Sequence, residues 1–354
     1  MHRAARRRLA RRVAVTLLVA VGLLYLGAGA ALADPAVPTN YRSTVTDVTT
    51  VAGESLDLDV EVLGGDTYLV VSAPEGTELA VPGYDGEPYI RIAADGTVEV
   101  NQRSPARWLN DARYGSAEVD VPPQADADAP PAWEPAARSG TYAWHDHRIH
   151  FMSPQLPSQV DPDLREIQRV WEWEVPIEID GQDAVIAGTL DWVPGPPPVT
   201  PVALLVVSLA AAVALVRYTG PGPMAATAGL LALALALDFN WGLPPGADAY
   251  PALWMLAGGG LTLWAVARFH PSLATDRRTL LSGLAAIPPA VAALLASGAL
   301  IRPIVPGVLP AAGVRVLVAL ILAAAVASVI PLVGQLWRAT SLDGSDEPEP
   351  AATA

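Results

Sequence analysis

Between about residues 41 and 192 apolar and polar residues alternate with a period of two, whereas beyond residue 200 apolar residues run in long unbroken blocks. Period-two alternation places successive side chains on opposite faces of a strand, one buried and one wet. Leu56, Leu58, Val60 and Val62 alternate with Ser55, Asp57, Asp59 and Glu61; Ala117, Val119 and Val121 alternate with Ser116, Glu118 and Asp120. Further strands are predicted at 44–50, 67–73, 88–92 and 97–100, the last two joined across Asp95-Gly96. The clearest pair is 171–179 and 184–192 around Asp180-Gly181, a dipeptide that supplies the positive φ angles of a type I′ hairpin turn. Pro176 has no N–H for a ladder, which places its strand at an edge or a bulge. Residues 104–114 read as a loop with a short helix, and 122–138, rich in Pro, Asp and Ala, as a mobile or extended excursion. So many short strands predict an antiparallel sandwich, because each sheet must bury its apolar face against another.

The blocks at 200–216, 224–237, 252–267, 279–300 and 314–336 predict five transmembrane helices. A stiff proline-rich linker, 194–199, separates them from the strands. Pro288-Pro289 should kink the fourth helix, and Gly258-Gly259-Gly260 should allow close helix contact in the third. At the other end of the chain, six arginines within residues 1–12 precede an uncharged run from Val13 to Ala33 that ends Ala31-Leu32-Ala33. That order describes a signal peptide cleaved after Ala33, although the run is also long enough for a retained anchor. Either way the strand region is exported. The inner connections then hold Arg217, Arg268, Arg277, Arg278 and Arg338, against Arg302 and Arg315 outside, in agreement with the positive-inside rule. The expected organisation is an exported all-β antiparallel sandwich (34–193), an all-α transmembrane helical bundle (200–338) and an acidic cytoplasmic tail (339–354).

Charge sharpens this picture. Residues 34–198 hold 29 Asp or Glu against nine Arg, a local balance of −20, which disfavours nucleic acid and anionic lipid. All 22 basic residues are arginine and there is no cysteine, so catalytic lysine, thiolate ligands and disulfides are excluded. Ionisable residues in the apolar blocks sit near their ends, as with Asp238 and His270, which argues against a pump or secondary transporter. No phosphate loop, nucleophile elbow, zinc-protease motif or dinucleotide fingerprint is present, and enzymatic activity is not expected.

The one constellation with site chemistry is Trp144-His145-Asp146-His147-Arg148-Ile149-His150-Phe151-Met152, which holds three of the five histidines. On a strand His145 and His147 would share a face and could share one metal ion; His150 would need a bend to join them. A thioether from Met152 would favour copper. The competing readings are a structural polar network and a partner contact.

Gly140-Thr141-Tyr142-Ala143-Trp144-His145-Asp146-His147 resembles the copper-binding strand of cupredoxin-type proteins, and its Trp-His-x-His part is similar to the copper-binding stretch of particulate methane monooxygenases. The resemblance implies His145 and His147 as copper ligands. The segment from Trp173 through Asp180-Gly181 to Leu190, followed by membrane helices, resembles the last hairpin of CopC-type copper-resistance domains, some of which are joined to CopD-type helices. In that family a histidine usually follows the turn, where Gln182 stands here. These likenesses imply a membrane-anchored, non-catalytic copper-handling protein, with a copper chaperone, transporter or oxidase-assembly protein as partner. The alternative is a cell-envelope structural or interaction protein whose histidines are structural.

Overall fold

The computed structural model describes residues 36–111, 119, 121–245, 247 and 250–341, without the side chains of 335–341. The signal or anchor segment, the tail from 342 and nearly all of the expected 116–121 strand lie outside the described residues.

An antiparallel β-region comes first. Strands β1 (Tyr41–Thr50), β4 (Leu79–Pro82), β5 (Pro88–Ile92), β6 (Val98–Asn101), β7 (Trp133–Ala137), β9 (Gln168–Ile179) and β10 (Gln182–Trp192) form a seven-stranded sheet in the order β1-β10-β9-β4-β5-β6-β7. Strands β2 (Asp59–Leu63), β3 (Tyr68–Ser72) and β8 (Thr141–Trp144) form a second sheet in the order β2-β3-β8. One apolar core draws on both: Leu69 and Val71 of β3 and Trp144 of β8 join Val81, Ile90, Val175 and Ile186 of the larger sheet. The alternation in the sequence is what supplies these inward residues.

The Asp180-Gly181 hairpin forms as expected, with φ of 50° and 78° at its two turn residues. Pro176 pairs with Val185 on one side, while β4 reaches only Ile179 and Glu178 on the other, so the missing N–H disrupts no ladder. Two expectations need correction. The 122–138 excursion contains an edge strand, β7, held because Asn101 Oδ1 accepts the Ala132 N–H at 2.8 Å and the Arg91 guanidinium lies 4.4 Å over the Trp133 ring. The strand expected at 55–62 begins only at Asp59, since Ser55 makes an isolated bridge to Thr49 instead.

Five helices are long and apolar enough to cross a membrane. They comprise α2 (Val199–Thr219), α3 (Pro221–Trp241), α4 (Pro251–Phe269), a broken pair α5 (Thr275–Ala285) and α6 (Ile287–Leu295), and α7 (Ala311–Ser341); α1 (Pro105–Leu109) is a short helix in the β-region. The fourth span breaks at Ala286, directly before Ile287-Pro288-Pro289, because two prolines remove two ladder donors. Of the three clustered glycines only Gly260 is used for close contact: a Cβ there would come 2.6 Å from Pro289 Cδ, while Gly258 and Gly259 face open space. Helix α7 packs against α2, α3, α5 and α6. Buried alanines, among them Ala225, Ala228, Ala285, Ala324 and Ala325, let the backbones approach.

The β-region is seated on one end of the helices. Thr39 and Ile304 exchange backbone hydrogen bonds of 2.9 and 3.2 Å, Tyr250 Oη donates to the Ala36 carbonyl at 2.6 Å, and Arg302 Nη1 donates to the Pro38 carbonyl at 2.6 Å. Ala36, Tyr68 and Val70 share an apolar cluster with Leu243 and Ala247. Leu243, Ala247 and Tyr250 on one helical connection and Arg302 and Ile304 on another therefore lie against the β-region. Arg302 and Arg315, both at this end, are consumed by backbone carbonyls of Pro38, Ala299 and Arg302. Asp238, the acidic residue near the end of α3, accepts the Val308 and Leu309 N–H groups at 3.1 and 2.8 Å and so ties the chain leading into α7.

Candidate functional site

The histidine segment lies where β8 ends, close to this seam. Leu69 pairs with Trp144, and Trp144 is the last strand residue; the chain then turns, with the Ile149 N–H bonded to the Asp146 carbonyl at 3.1 Å. The strand alternation that was to put His145 and His147 on one face is therefore absent. His145 is buried with its ring centroid 4.5 Å from that of Tyr68, the residue that also touches the helical connections. His147 is half-buried and stacks on Tyr84 at 5.7 Å. The turn brings His150, fully buried, edge-on to His147 at 5.2 Å. Met152 is half-buried in the irregular chain beyond.

Asp146 is the centre of the local electrostatics. Its carboxylate is fully buried and accepts the Trp144 indole N–H at 2.8 Å, the Arg148 backbone N–H at 3.0 Å, and Arg148 Nε and Nη2 at 2.8 and 2.7 Å. A carboxylate removed from water is tolerated when its lone pairs are filled and its charge is matched, and both conditions hold. Arg148 also lies 5.2 Å over the Tyr84 ring. Burial by itself would lower the Arg148 value, but hydrogen bonding and charge from Asp146 outweigh it and raise the guanidinium above its usual range.

A tyrosine–asparagine chain continues the network. Tyr84 Oη accepts the His147 backbone N–H at 2.9 Å and donates to Asn110 Oδ1, while Asn110 Nδ2 donates to Tyr89 Oη at 3.1 Å. Burial pushes the phenols of Tyr84, Tyr89 and Tyr142 above the ordinary tyrosine value, with the Asp146 charge adding to the effect at Tyr84. Beneath it Glu87, nearly buried, accepts Ser104 Oγ at 2.5 Å, the Ala106 N–H at 3.4 Å and the Asp85 N–H at 3.0 Å, so it satisfies the start of α1. Neither Asn110, Tyr84, Tyr89 nor Glu87 carries a sequence signal beyond its residue type. Their roles arise from contacts between distant segments.

Among the described residues no three of His, Asp and Glu come together to hold a metal ion. Two imidazoles, those of His147 and His150, do converge, while the nearest carboxylate, Asp146, is occupied by Arg148. Chemically, the arrangement is a buried, charge-matched polar knot in contact with the rings of Trp144 and Tyr84. No family model matches the chain, and no curated protein or solved structure matches it either.

Proposed function

We propose that the chain is a multi-pass cell-envelope protein that works by binding other proteins, and that its histidine segment is a structural joint under the β-region. The observation that carries this reading is the Asp146 carboxylate, whose four hydrogen bonds commit the donors of the segment to one another. On this reading the two sheets form an Ig/cupredoxin-like sandwich exposed outside the cell membrane, with α7 ending in the cytoplasm. The arginine asymmetry supports that orientation. A reporter fused after Ala354 should be cytoplasmic and one inserted at residues 122–131 exported; the reverse pattern would refute the orientation.

The second reading is copper handling without catalysis, in concert with a chaperone, transporter or oxidase-assembly partner, and it is favoured by the His147–His150 ring contact. Replacing His147 and His150 singly by Gln in the intact protein separates the two. The structural reading expects unfolding at lower temperature with no metal present, and copper titrations like those of the wild type. Tight stoichiometric copper binding that is lost in both variants, with stability retained, would overturn it in favour of copper.

A further inference from the structure

We propose that the loop of residues 151–167, at the base of the β-region, rests in the headgroup layer of the bilayer and makes a second membrane attachment besides the helices. The inference starts from three exposed apolar side chains, Leu156 at 45%, Leu164 at 57% and Ile167 at 54% of full exposure. They are not exposed because the loop is slack. Val160, in the middle of the loop, is plugged into the core at 7% exposure. Gln159 Nε2 donates to the Val170 carbonyl at 3.0 Å, the Asp161 N–H donates to Gln168 Oε1 at 2.9 Å, and Gln168 Nε2 returns to the Asp161 carbonyl at 2.6 Å. The ring of Phe151 is held between Tyr41 and Trp171, 5.7 Å from each. A loop pinned at these points presents its leucines and isoleucine outward, where water contact is unfavourable in proportion to apolar area.

The height of the loop identifies what covers it. Gln168, at the start of β9, pairs with Trp192 at the end of β10, and Trp192 pairs with Tyr41 at the start of β1, so all three strand ends lie at one end of the sheet. Val193 donates to the Asn40 carbonyl at 2.7 Å, and the adjacent Thr39 is bridged to Ile304, which belongs to a connection between membrane-length helices. With paired strands about 5 Å apart, Gln168 lies roughly 10 Å across the sheet from Tyr41, at the same end of the strands. The headgroup layer on each side of a bilayer is itself about 5–8 Å thick, and Ile167 and Leu164 precede Gln168 by only one and four residues, which keeps them within about 4–14 Å of chain from this end of the sheet. Val199, Val202 and Ile301, near the same end of the helices, are exposed apolar residues as well. Asp161, Asp163 and Glu166 against Arg165 give a net charge of −2 (one base less three acids), so the favoured surface is zwitterionic lipid and an anionic one is opposed.

The absence of cysteine from the chain allows a direct test. Leu156→Cys, Leu164→Cys, Ile167→Cys and, as a distal reference, Val51→Cys are made singly in the full chain. Val51 is 76% exposed and bonds through its N–H to Asp183, beside the hairpin at the opposite end of the sheet. Each variant is labelled with a polarity-sensitive fluorophore in phosphatidylcholine nanodiscs containing one copy. Labels in the loop should be quenched by headgroup-nitroxide lipid and lose access to a water-soluble quencher, with the opposite pattern at position 51. Loop labels as accessible to the aqueous quencher as position 51 would overturn the proposal. Protection from both quenchers would also overturn it, since the protein itself would then be covering the loop.

Discussion

Replacing Arg148 by Met removes two hydrogen bonds of 2.8 and 2.7 Å and the cation that balances a carboxylate with no solvent exposure. The Trp144 indole and the Arg148 backbone N–H still reach Asp146, so geometry is largely kept while charge balance is lost. Breaking a buried pair from one side leaves an uncompensated charge and costs about 3–5 kcal/mol. For a domain of this size that corresponds to a fall in Tm of about 6–20 °C. The Asp146→Asn change combined with Arg148→Met leaves no buried charge, and only hydrogen-bond deficits of about 1–3 kcal/mol remain. The double variant should therefore be more stable than the Arg148 single variant, an inversion that ordinary additive damage does not produce. Thermal unfolding of the intact protein in detergent, followed by near-ultraviolet circular dichroism of the tryptophans, reads the β-region, and Trp144 reports from inside the knot. A loss below about 1 kcal/mol for Arg148→Met would mean that the pair behaves as an exposed one. A double variant no more stable than the single would show that charge is not the cause.

The buried phenols give a pH dependence. Because the folded values of Tyr84 and Tyr89 are raised, their contribution is fully present below the ordinary tyrosine value of about 10 and is lost as pH rises beyond it, by up to about 1.4 kcal/mol per pH unit for each; tyrosinate absorbance and stability between about pH 9 and 11 should move together, and Tyr84→Phe should flatten the slope. Gly188 lies under Trp173, where a Cβ would come 2.1 Å from the ring and 2.5 Å from the Thr44 carbonyl, so Gly188→Ala should cost about 1–3 kcal/mol in chemical denaturation; a neutral result would mean that the ring can move aside. Tyr250→Phe and Arg302→Ala each remove one hydrogen bond between the β-region and the helices, worth about 0.5–1.5 kcal/mol, and should speed hydrogen exchange at the Thr39 and Ile304 amides while leaving β9 and β10 protected.

Long, strongly periodic features are legible in the sequence. The β9–β10 hairpin follows from twelve- and eleven-residue strands flanking Asp180-Gly181, because φ preference and alternation act locally and agree. The five apolar helices follow from composition, and the break in the fourth from two adjacent prolines. Short strands such as β4 and β7 are not legible, since four or five residues carry too little pattern and Pro135 speaks against a strand that only its edge position permits.

The site divides in the same way. Three clustered histidines are visible in the sequence, but whether they share a face depends on where β8 stops, and that is decided by its pairing with β3 through Leu69 and Trp144. Once the strand ends there, the turn exchanges the expected His145–His147 pairing for the contact of His147 with His150. The Asp146–Arg148 bond is local, but the Tyr84–Asn110–Tyr89 chain and the bond of Tyr84 to His147 bring together residues 21 to 63 positions apart. Local sequence determined which elements form, because propensity and periodicity act over a few residues. Which side chains meet was decided only by the tertiary structure, because burial and hydrogen-bond satisfaction are settled when distant strands and the helical connections close on one another.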